Sequence, residues 1–416
     1  MQATLRIDSG RMRADFEALS EIGDTGDGGV HRPTFSESHL AARNWFLEVA
    51  RRSGFDTQVD SAGNHSARLA MPAATRTLLL GSHLDSVPHG GRFDGGLGVV
   101  AALEALRSIQ EAGLKLPVHL EAIDFTDEEG TLVGMLGSSA VAGTLEPQHL
   151  ETPRGGRDNL LSGLARAGLS EDGLFDARRE PEELAGYLEL HIEQGPRLAK
   201  AQIDVGIVTG IVGIASFEVV FYGKSNHAGT TPMEGRSDAS LGASAFILAA
   251  HDLVRQKHPA SFINFGRAEF EPGAYNIIPG RARLALEFRA PDQSEFSRLE
   301  KNLTQEANQA ADRFGLRVDM LPKAKWSPVE MNEDFQDSFE RAANNLSLSH
   351  VRLNSGAGHD AEKLVHATPA AMFFIPSPNG ISHDPQEYST WTDCENGANV
   401  LLNAAIDVAS GGAPRD

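Results

Sequence analysis

The stretch "HLDSVPHGGRFDGGLGV", His83 to Val99, sets two histidines, two aspartates and five glycines directly after the apolar run Leu78-Leu79-Leu80. Residues of the same types recur behind three more apolar runs. Asp127, Glu128 and Glu129 follow "HLEAIDFT", His191 and Glu193 end "YLELHI", and His383 and Asp384 follow "MFFIPSPNGIS". Imidazole nitrogen with carboxylate oxygen, and no usable thiolate, is a donor set for Zn²⁺, Mn²⁺, Co²⁺ or Ni²⁺; a structural zinc site would be richer in cysteine. Taken singly, each piece has an ordinary explanation. A His-x-Asp pair is commonly a satisfied surface pair, "DEEG" a solvated acidic loop, and His191 a core histidine bonded to backbone. Together at four strand ends, they point to a metal site.

Three histidines (His83, His191, His383) and two carboxylates exceed what one catalytic ion needs, so the pattern predicts two divalent ions per chain sharing a bridging carboxylate. Asp94 suits the bridge, because it opens a helix just behind the His83 loop, between glycines that allow close approach. Asp85 lies on the His83 side of an extended chain and is expected to hold that ring through its carboxylate; an ordinary turn aspartate is the equal alternative. Glu128 and Glu129 would point to opposite faces of a strand. In a loop they converge, one on a metal and one on the water beside it, where a glutamate serves as the general base of hydrolysis.

The elements that must position these residues alternate along the chain. "SESHLAARNWFLEVARRSG" reads as a capped helix with Leu40, Trp45, Phe46 and Val49 inward. "TRTLLLGSH" reads as a buried strand, and "GGLGVVAALEALRSIQEAG" as a helix with Val99, Leu103, Leu106 and Ile109 on one face. "PVHLEAIDF", "LAGYLELHI" and "AAMFFIPSP" are further strands. Strands alternating with helices imply βαβ crossovers and a mostly parallel sheet, whose strands' carboxyl ends share one edge. Between 210 and 327 the style changes. "RARLALEFR" alternates cleanly, with Ala282, Leu284, Leu286 and Phe288 on one face, as a half-buried antiparallel strand does. The order β-α-β-β-α-β there is that of a ferredoxin-like sandwich. The expected organisation is an α/β domain made of 1–209 and 328–416, with 210–327 inserted into it.

The inserted segment carries His227 in "GKSNHAGTTPM", Asn276 in "GAYNIIPG" and Arg289 at a strand end. On residue type alone, His227 is an unremarkable loop histidine and Arg289 a solvated strand charge. The 416 residues suit two domains. A formal charge of −20 opposes nucleic acid and anionic membranes as partners, while a small anionic substrate in a cationic cleft stays open. The single cysteine, Cys394, suits a reducing cytoplasm. No apolar run nears the roughly 18–20 residues of a membrane span, and the N-terminus has no secretory apolar core.

"GSHLDSVPHGGRFDGGLGV", "DFTDEEG", "HIEQGP", "NHAGTTPM", "GAYNIIPG", "SGAGHDA" and "GISHDPQE" stand in one order over nearly the whole chain. In this the sequence resembles the amidase branch of the dinuclear metal-dependent aminoacylase and peptidase superfamily: N-carbamoyl-L-amino acid hydrolases, allantoate amidohydrolases and β-alanine synthases. The resemblance implies that His83, Asp94 and His191 hold one ion, that Glu129 and His383 complete the other, and that Asp94 bridges. It implies Glu128 as the base. It also implies a homodimer through the inserted domain, with His227 reaching the partner's site to steady the oxyanion. Asn276 and Arg289 would grip the substrate carboxylate, and Gln194, Gly358 and His359 would line the pocket. One departure stands out: the Arg-Phe that commonly follows "DEEG" is missing from "DEEGTLVGMLGS". The activity implied is hydrolysis of a carbamoyl C–N bond on a small carboxylate such as an N-carbamoyl-L-amino acid. Allantoate hydrolysis and N-acyl amino acid hydrolysis are the alternatives within the class. A non-catalytic binding protein of the same fold is the alternative outside it.

Overall fold

The computed structural model describes residues 4–411. The chain divides into two compact units, Met1–Thr209 with Met331–Asp416, and Gly210–Glu330. In chain order the strands are β1 (Asp56–Val59), β2 (His65–Leu69), β3 (Thr77–His83), β4 (His119–Phe125), β5 (Leu184–Ile192) and β6 (Val205–Ile211). They continue with β7 (Gly213–Tyr222), β8 (Phe262–Glu271), β9 (Arg281–Ala290), β10 (Arg317–Trp326), β11 (Val329–Glu330), β12 (His350–Ser355) and β13 (Ala370–Ile375).

The sheet of the first unit runs β1-β2-β4-β3-β5-β13-β6, with β12 also on β6. Its four central strands, β4, β3, β5 and β13, are parallel. Leu78, Leu79 and Leu80 of β3 are wholly buried, as expected of a parallel strand covered on both faces. The helix Gly96–Glu111 packs on β3 and β4; Val99, Leu103, Leu106 and Ile109 are buried as expected, but so is every other residue from Gly96 to Ile109, so the helix is covered all round rather than on one face. Antiparallel strands flank this centre: β1 on β2, β2 on β4, and β6 on β13. The centre of the sheet is therefore parallel, as read from the sequence, with antiparallel margins that the βαβ rhythm did not announce.

The helix Glu37–Arg52 corrects one expectation. Phe46 and Val49 are buried, but Leu40 and Trp45 are only half-buried, while the polar His39 and Arg43 go fully inside. Arg43 is compensated by an ion pair and two hydrogen bonds. Its Nε lies 2.8 Å from Asp124, and its two Nη atoms donate to the Gly63 carbonyl (2.8 Å) and to Thr126 Oγ1 (2.9 Å). A buried cation paired with a carboxylate and hydrogen-bonded in this way is tolerated where an unpaired one is not.

In the second unit the sheet order is β10-β7-β9-β8, antiparallel throughout. β9 inserts between β7 and β8, which gives the split βαβ arrangement. Ala282, Leu284, Leu286 and Phe288 of β9 are buried, together with Phe221 of β7, Phe246 of the helix Ala239–Lys257, and Phe296 and Leu299 of the helix Gln293–Arg313. The alternation seen in "RARLALEFR" is thus one sheet face closing on two helices.

Candidate metal centre

The carboxyl ends of the parallel strands deliver the ligand-type residues to one edge of the first unit. His83 is the last residue of β3, His191 the penultimate residue of β5, Glu128 and Glu129 follow β4, and His383 follows β13. Asp94 arrives from the loop between β3 and the helix Gly96–Glu111. Gly95 lets this turn exist: its φ is +64°, and a Cβ there would lie 2.4 Å from the His83 ring.

Asp94 sits at the middle. Its Oδ1 is 3.0 Å from His191 Nε2 and 3.4 Å from His83 Nε2. Its Oδ2 is 3.5 Å from His383 Nε2, which is itself 3.4 Å from Glu129 Oε2. Two groups of donor atoms result, His83–Asp94–His191 and Asp94–Glu129–His383, each drawn within 4.8 Å and joined by Asp94. Glu128 Oε2 lies 3.6 Å from His83 Nε2.

The imidazoles are oriented for coordination. His83 Nδ1 faces the Asp85 carbonyl at 3.1 Å, and His191 Nδ1 faces the Ile192 carbonyl at 2.9 Å. A carbonyl only accepts, so each Nδ1 carries the proton and each Nε2 turns its lone pair to the centre. His83 Nε2 is buried with no hydrogen-bond partner among the described residues. That atom, three converging carboxylates and the ring orientation together fit divalent cations.

The electrostatics agree. Burial, then the neighbouring carboxylates, pushes Glu128 and Glu129 well above the usual carboxylate range, although His83 opposes the rise. Burial works the same way on Asp94, but His191 and His83 outweigh it and hold that carboxyl well below its ordinary value. Burial lowers His191, and Asp94 overcomes this and raises it to about 9. Cations among these groups would keep the carboxylates ionised and the imidazoles neutral.

A third group, Glu189–His191–His359, adjoins the first two. The Glu189 oxygens are already engaged by Ser82 Oγ (2.9 Å) and the Ala361 N–H (3.1 Å), which marks that carboxylate as a support for its surroundings.

Residues 79–407 match the model of peptidase family M20/M25/M40. The chain belongs to that family. It is 36% identical over 397 residues to the N-carbamoyl-L-amino acid amidohydrolase of Geobacillus stearothermophilus, across 94% of this chain and 97% of that one. It is 32% identical to the allantoate amidohydrolase of Bacillus subtilis (strain 168), across 95% and 96%. The solved structure of a hydantoinase/carbamoylase family amidase from Burkholderia multivorans superposes with a TM-score of 0.88 at 32% identity, covering 99% of this chain and 100% of that one.

The remaining predicted residues of this M20/M25/M40 family member fall into three sets. Asp85 requires a correction: its carboxylate is 3.8 Å from His83 Nδ1, and the ring is held by the Asp85 carbonyl instead. The carboxylate accepts the Glu128 and Glu129 N–H groups, both at 3.2 Å, and so shapes the loop that carries them. Gln194 and His359 join the centre. Gln194 Nε2 donates to Asp94 Oδ2 (2.7 Å), and the His359 ring packs edge-on against His191 at 4.5 Å between centroids, with Nε2 3.0 Å from Ser355 Oγ. Gly358 lies against the Met135 thioether; a Cβ on it would stand 2.4 Å from Met135 Cε.

His227, Asn276 and Arg289 lie in the second unit. His227 and Asn276 are brought together: His227 bridges to Ile277, and the Ala228 N–H donates to the Asn276 carbonyl at 2.9 Å. Both residues are exposed. The Gly229 N–H donates to His227 Nδ1 (3.1 Å), so a neutral ring carries its proton on Nε2. Arg289 donates from Nε and Nη2 to Glu287 (3.1 and 3.0 Å).

The sequence placed Asp127 among the ligand-type residues without giving it a role, and gave no sign of Thr34, Ser382 or Glu387. The Asp127 carboxylate gathers the N–H groups of Leu132, Val133 and Gly134 (3.1, 2.6 and 2.9 Å) and the Thr34 hydroxyl (2.7 Å). This hub orders the segment "TLVGM", where the Arg-Phe is missing. The signal for Asp127 was its place in "DEEG"; nothing local singled out Thr34 or Ser382.

Proposed function

We propose that this chain is an amidohydrolase that cleaves the carbamoyl C–N bond of an N-carbamoyl-L-amino acid, using two divalent ions drawn from Zn²⁺, Mn²⁺, Co²⁺ and Ni²⁺. His83, Asp94 and His191 would hold one ion, and Asp94, Glu129 and His383 the other. The observation that carries this is the pair of donor groups sharing Asp94 with the buried Glu128 at their side. When bound, such ions supply Lewis acidity for the carbonyl and lower the pKa of water. Glu128 takes the proton of the attacking water and returns it to the leaving nitrogen. Water adds to the carbamoyl carbon and the C–N bond breaks, giving the amino acid and a carbamate that decomposes to CO₂ and ammonia.

Gln194 favours a ureido group over a simple acyl group. With Nε2 committed to Asp94, its Oε1 is buried with no hydrogen-bond partner among the described residues. A carbamoyl N–H is the donor it lacks, and an acyl methyl cannot supply one. His359 and Gly358 would line the same pocket. Arg289 and Asn276 would bind the substrate carboxylate, and the Nε2–H of His227 would donate to the oxyanion of a partner subunit's site. The homodimer would form through the second unit, whose edge strand β8 exposes Phe262 and Phe270 and whose helix Ala239–Lys257 exposes Leu241 and Leu248. The lone cysteine, buried Cys394, suits a cytoplasmic setting. Among the described residues, no helix is long and apolar enough to cross a membrane.

Allantoate is the second reading, favoured by the Bacillus subtilis relative. The test is ammonia release by the metal-loaded protein from N-carbamoyl-L-amino acids, allantoate and N-acetyl amino acids side by side. Turnover of the carbamoyl compounds supports the proposal, turnover of allantoate alone moves it to the second reading, and cleavage of N-acetyl substrates alone overturns both. No turnover of any of them after metal reloading would favour a binding protein of this fold, although none of the expected ligands nor Glu128 is missing.

A further inference from the structure

Glu387 is a buried carboxylate that no step above uses, 3% exposed and four residues beyond His383. Its Oε1 accepts the N–H groups of Phe93 and Asp94, both at 3.0 Å, and its Oε2 accepts the Ser382 hydroxyl at 2.7 Å. The same hydroxyl oxygen is 3.1 Å from Asp94 Oδ2. Glu387 thus ties together the loop that carries Asp94 and the loop that carries His383. Its space is reserved: a Cβ on Gly91 would lie 2.1 Å from the Glu387 carboxyl.

The Ser382 hydroxyl has one proton and two carboxylates within reach. A proton given to Asp94 Oδ2 would occupy the oxygen that faces His383 and Glu129. We infer that Glu387 is a positioning residue for the second ion, fixing the Asp94 backbone and drawing the Ser382 proton away from Asp94, so that Asp94 Oδ2, which already accepts from Gln194 Nε2, keeps its remaining lone pair for the cation shared with Glu129 and His383. Replacement by glutamine reverses this routing. The amide oxygen still accepts the two N–H groups, but the new amide N–H₂ donates to Ser382 Oγ and turns the hydroxyl proton onto Asp94. The other group keeps His83 and His191 on their strand ends, so the loss falls on the second ion.

The inference rests on the two-ion reading of the site, and calorimetric Mn²⁺ titration of the metal-free protein separates the two. If the wild-type chain binds fewer than two ions, the two-ion reading fails. If it binds two, Glu387→Gln should retain one at unchanged affinity and bind the second about 10–100-fold more weakly, the usual effect of altering a partner behind a ligand. Cobalt absorption should lose the contribution of one site. The double variant Glu387→Gln/Ser382→Ala removes the misdirected proton and should regain most of the lost affinity, which a purely structural defect would not allow. Gly91→Ala, which crowds the same carboxylate, should weaken the second ion and serves if Glu387→Gln does not fold. Two ions bound at wild-type affinity by Glu387→Gln, or by Gly91→Ala in its place, would overturn the inference. A double variant no better than Glu387→Gln would overturn the proton routing.

Discussion

The two units present their chemistry in opposite ways. In the first, His83, His191 and Asp94 are 1%, 2% and 5% exposed, and each is held by backbone or a buried neighbour. In the second, His227 and Asn276 stand on exposed loops stitched to each other. Ligands for a cation must be pre-built, because gathering carboxylates and imidazoles in a dry pocket is costly unless rigid strand ends hold them there. Groups that grip a substrate must stay open to admit it. Under the proposed function, bond-breaking falls to the first unit and substrate handling to the second, a division that can be attacked at each end.

Removing the metal should have the largest effect. A chelator should take activity to background, with recovery on adding Mn²⁺, Co²⁺, Ni²⁺ or Zn²⁺ and close to two ions per chain by elemental analysis. Full turnover by a preparation shown to be metal-free would remove the pre-built centre from the chemistry. Next, Glu128→Gln should keep both ions and the fold while kcat falls about 10²–10⁴-fold, the range for a positioned general base. An active Glu128→Gln, beside a Glu129→Gln that is dead but still holds both ions, would exchange the two roles.

On the open side, His227→Ala should cost about 10²–10³-fold in kcat, as loss of one oxyanion donor does, with metal content unchanged. Whether it acts across a dimer is decided by mixing Glu128→Ala with His227→Ala, dissociating and re-pairing. Random pairing should restore about a quarter of wild-type activity if His227 serves the partner's site. Verified exchange with no recovery would confine it to its own chain. The smallest effect is expected from Arg289→Lys, a rise in KM of roughly tenfold for carboxylate substrates, because a lysine cannot make the paired hydrogen bonds of a guanidinium. Unchanged kinetics would return Arg289 to the role of a strand charge paired with Glu287.

Much of this was legible along the chain. An apolar run of β-type residues shows where a strand ends; His83, Glu128, Glu129 and His191 each sit at such an end, and His383 in the loop beyond Ile375. The two-residue period of "RARLALEFR" likewise displayed the face of β9 that is buried. Local pattern sufficed because both signals lie within a few residues. The partners behind the ligands were not legible. Nothing near Asp85 indicates that its carbonyl faces His83 while its carboxylate holds the Glu128 loop. Nothing near Arg43 announces that Asp124 awaits it inside. Asp94 and Glu387 lie 293 positions apart and meet through one hydrogen bond.

The donor types, their places behind strands and the class of ion they suit are readable along the chain, because these follow from side-chain chemistry and short-range periodicity. Which nitrogen of each imidazole faces inward, which group of Asp85 holds His83, and where Glu387 closes the loops were settled by tertiary packing alone. Those facts depend on segments far apart in the chain converging on one sheet edge, and on buried polar atoms finding whichever partner the packing brings within about 3 Å.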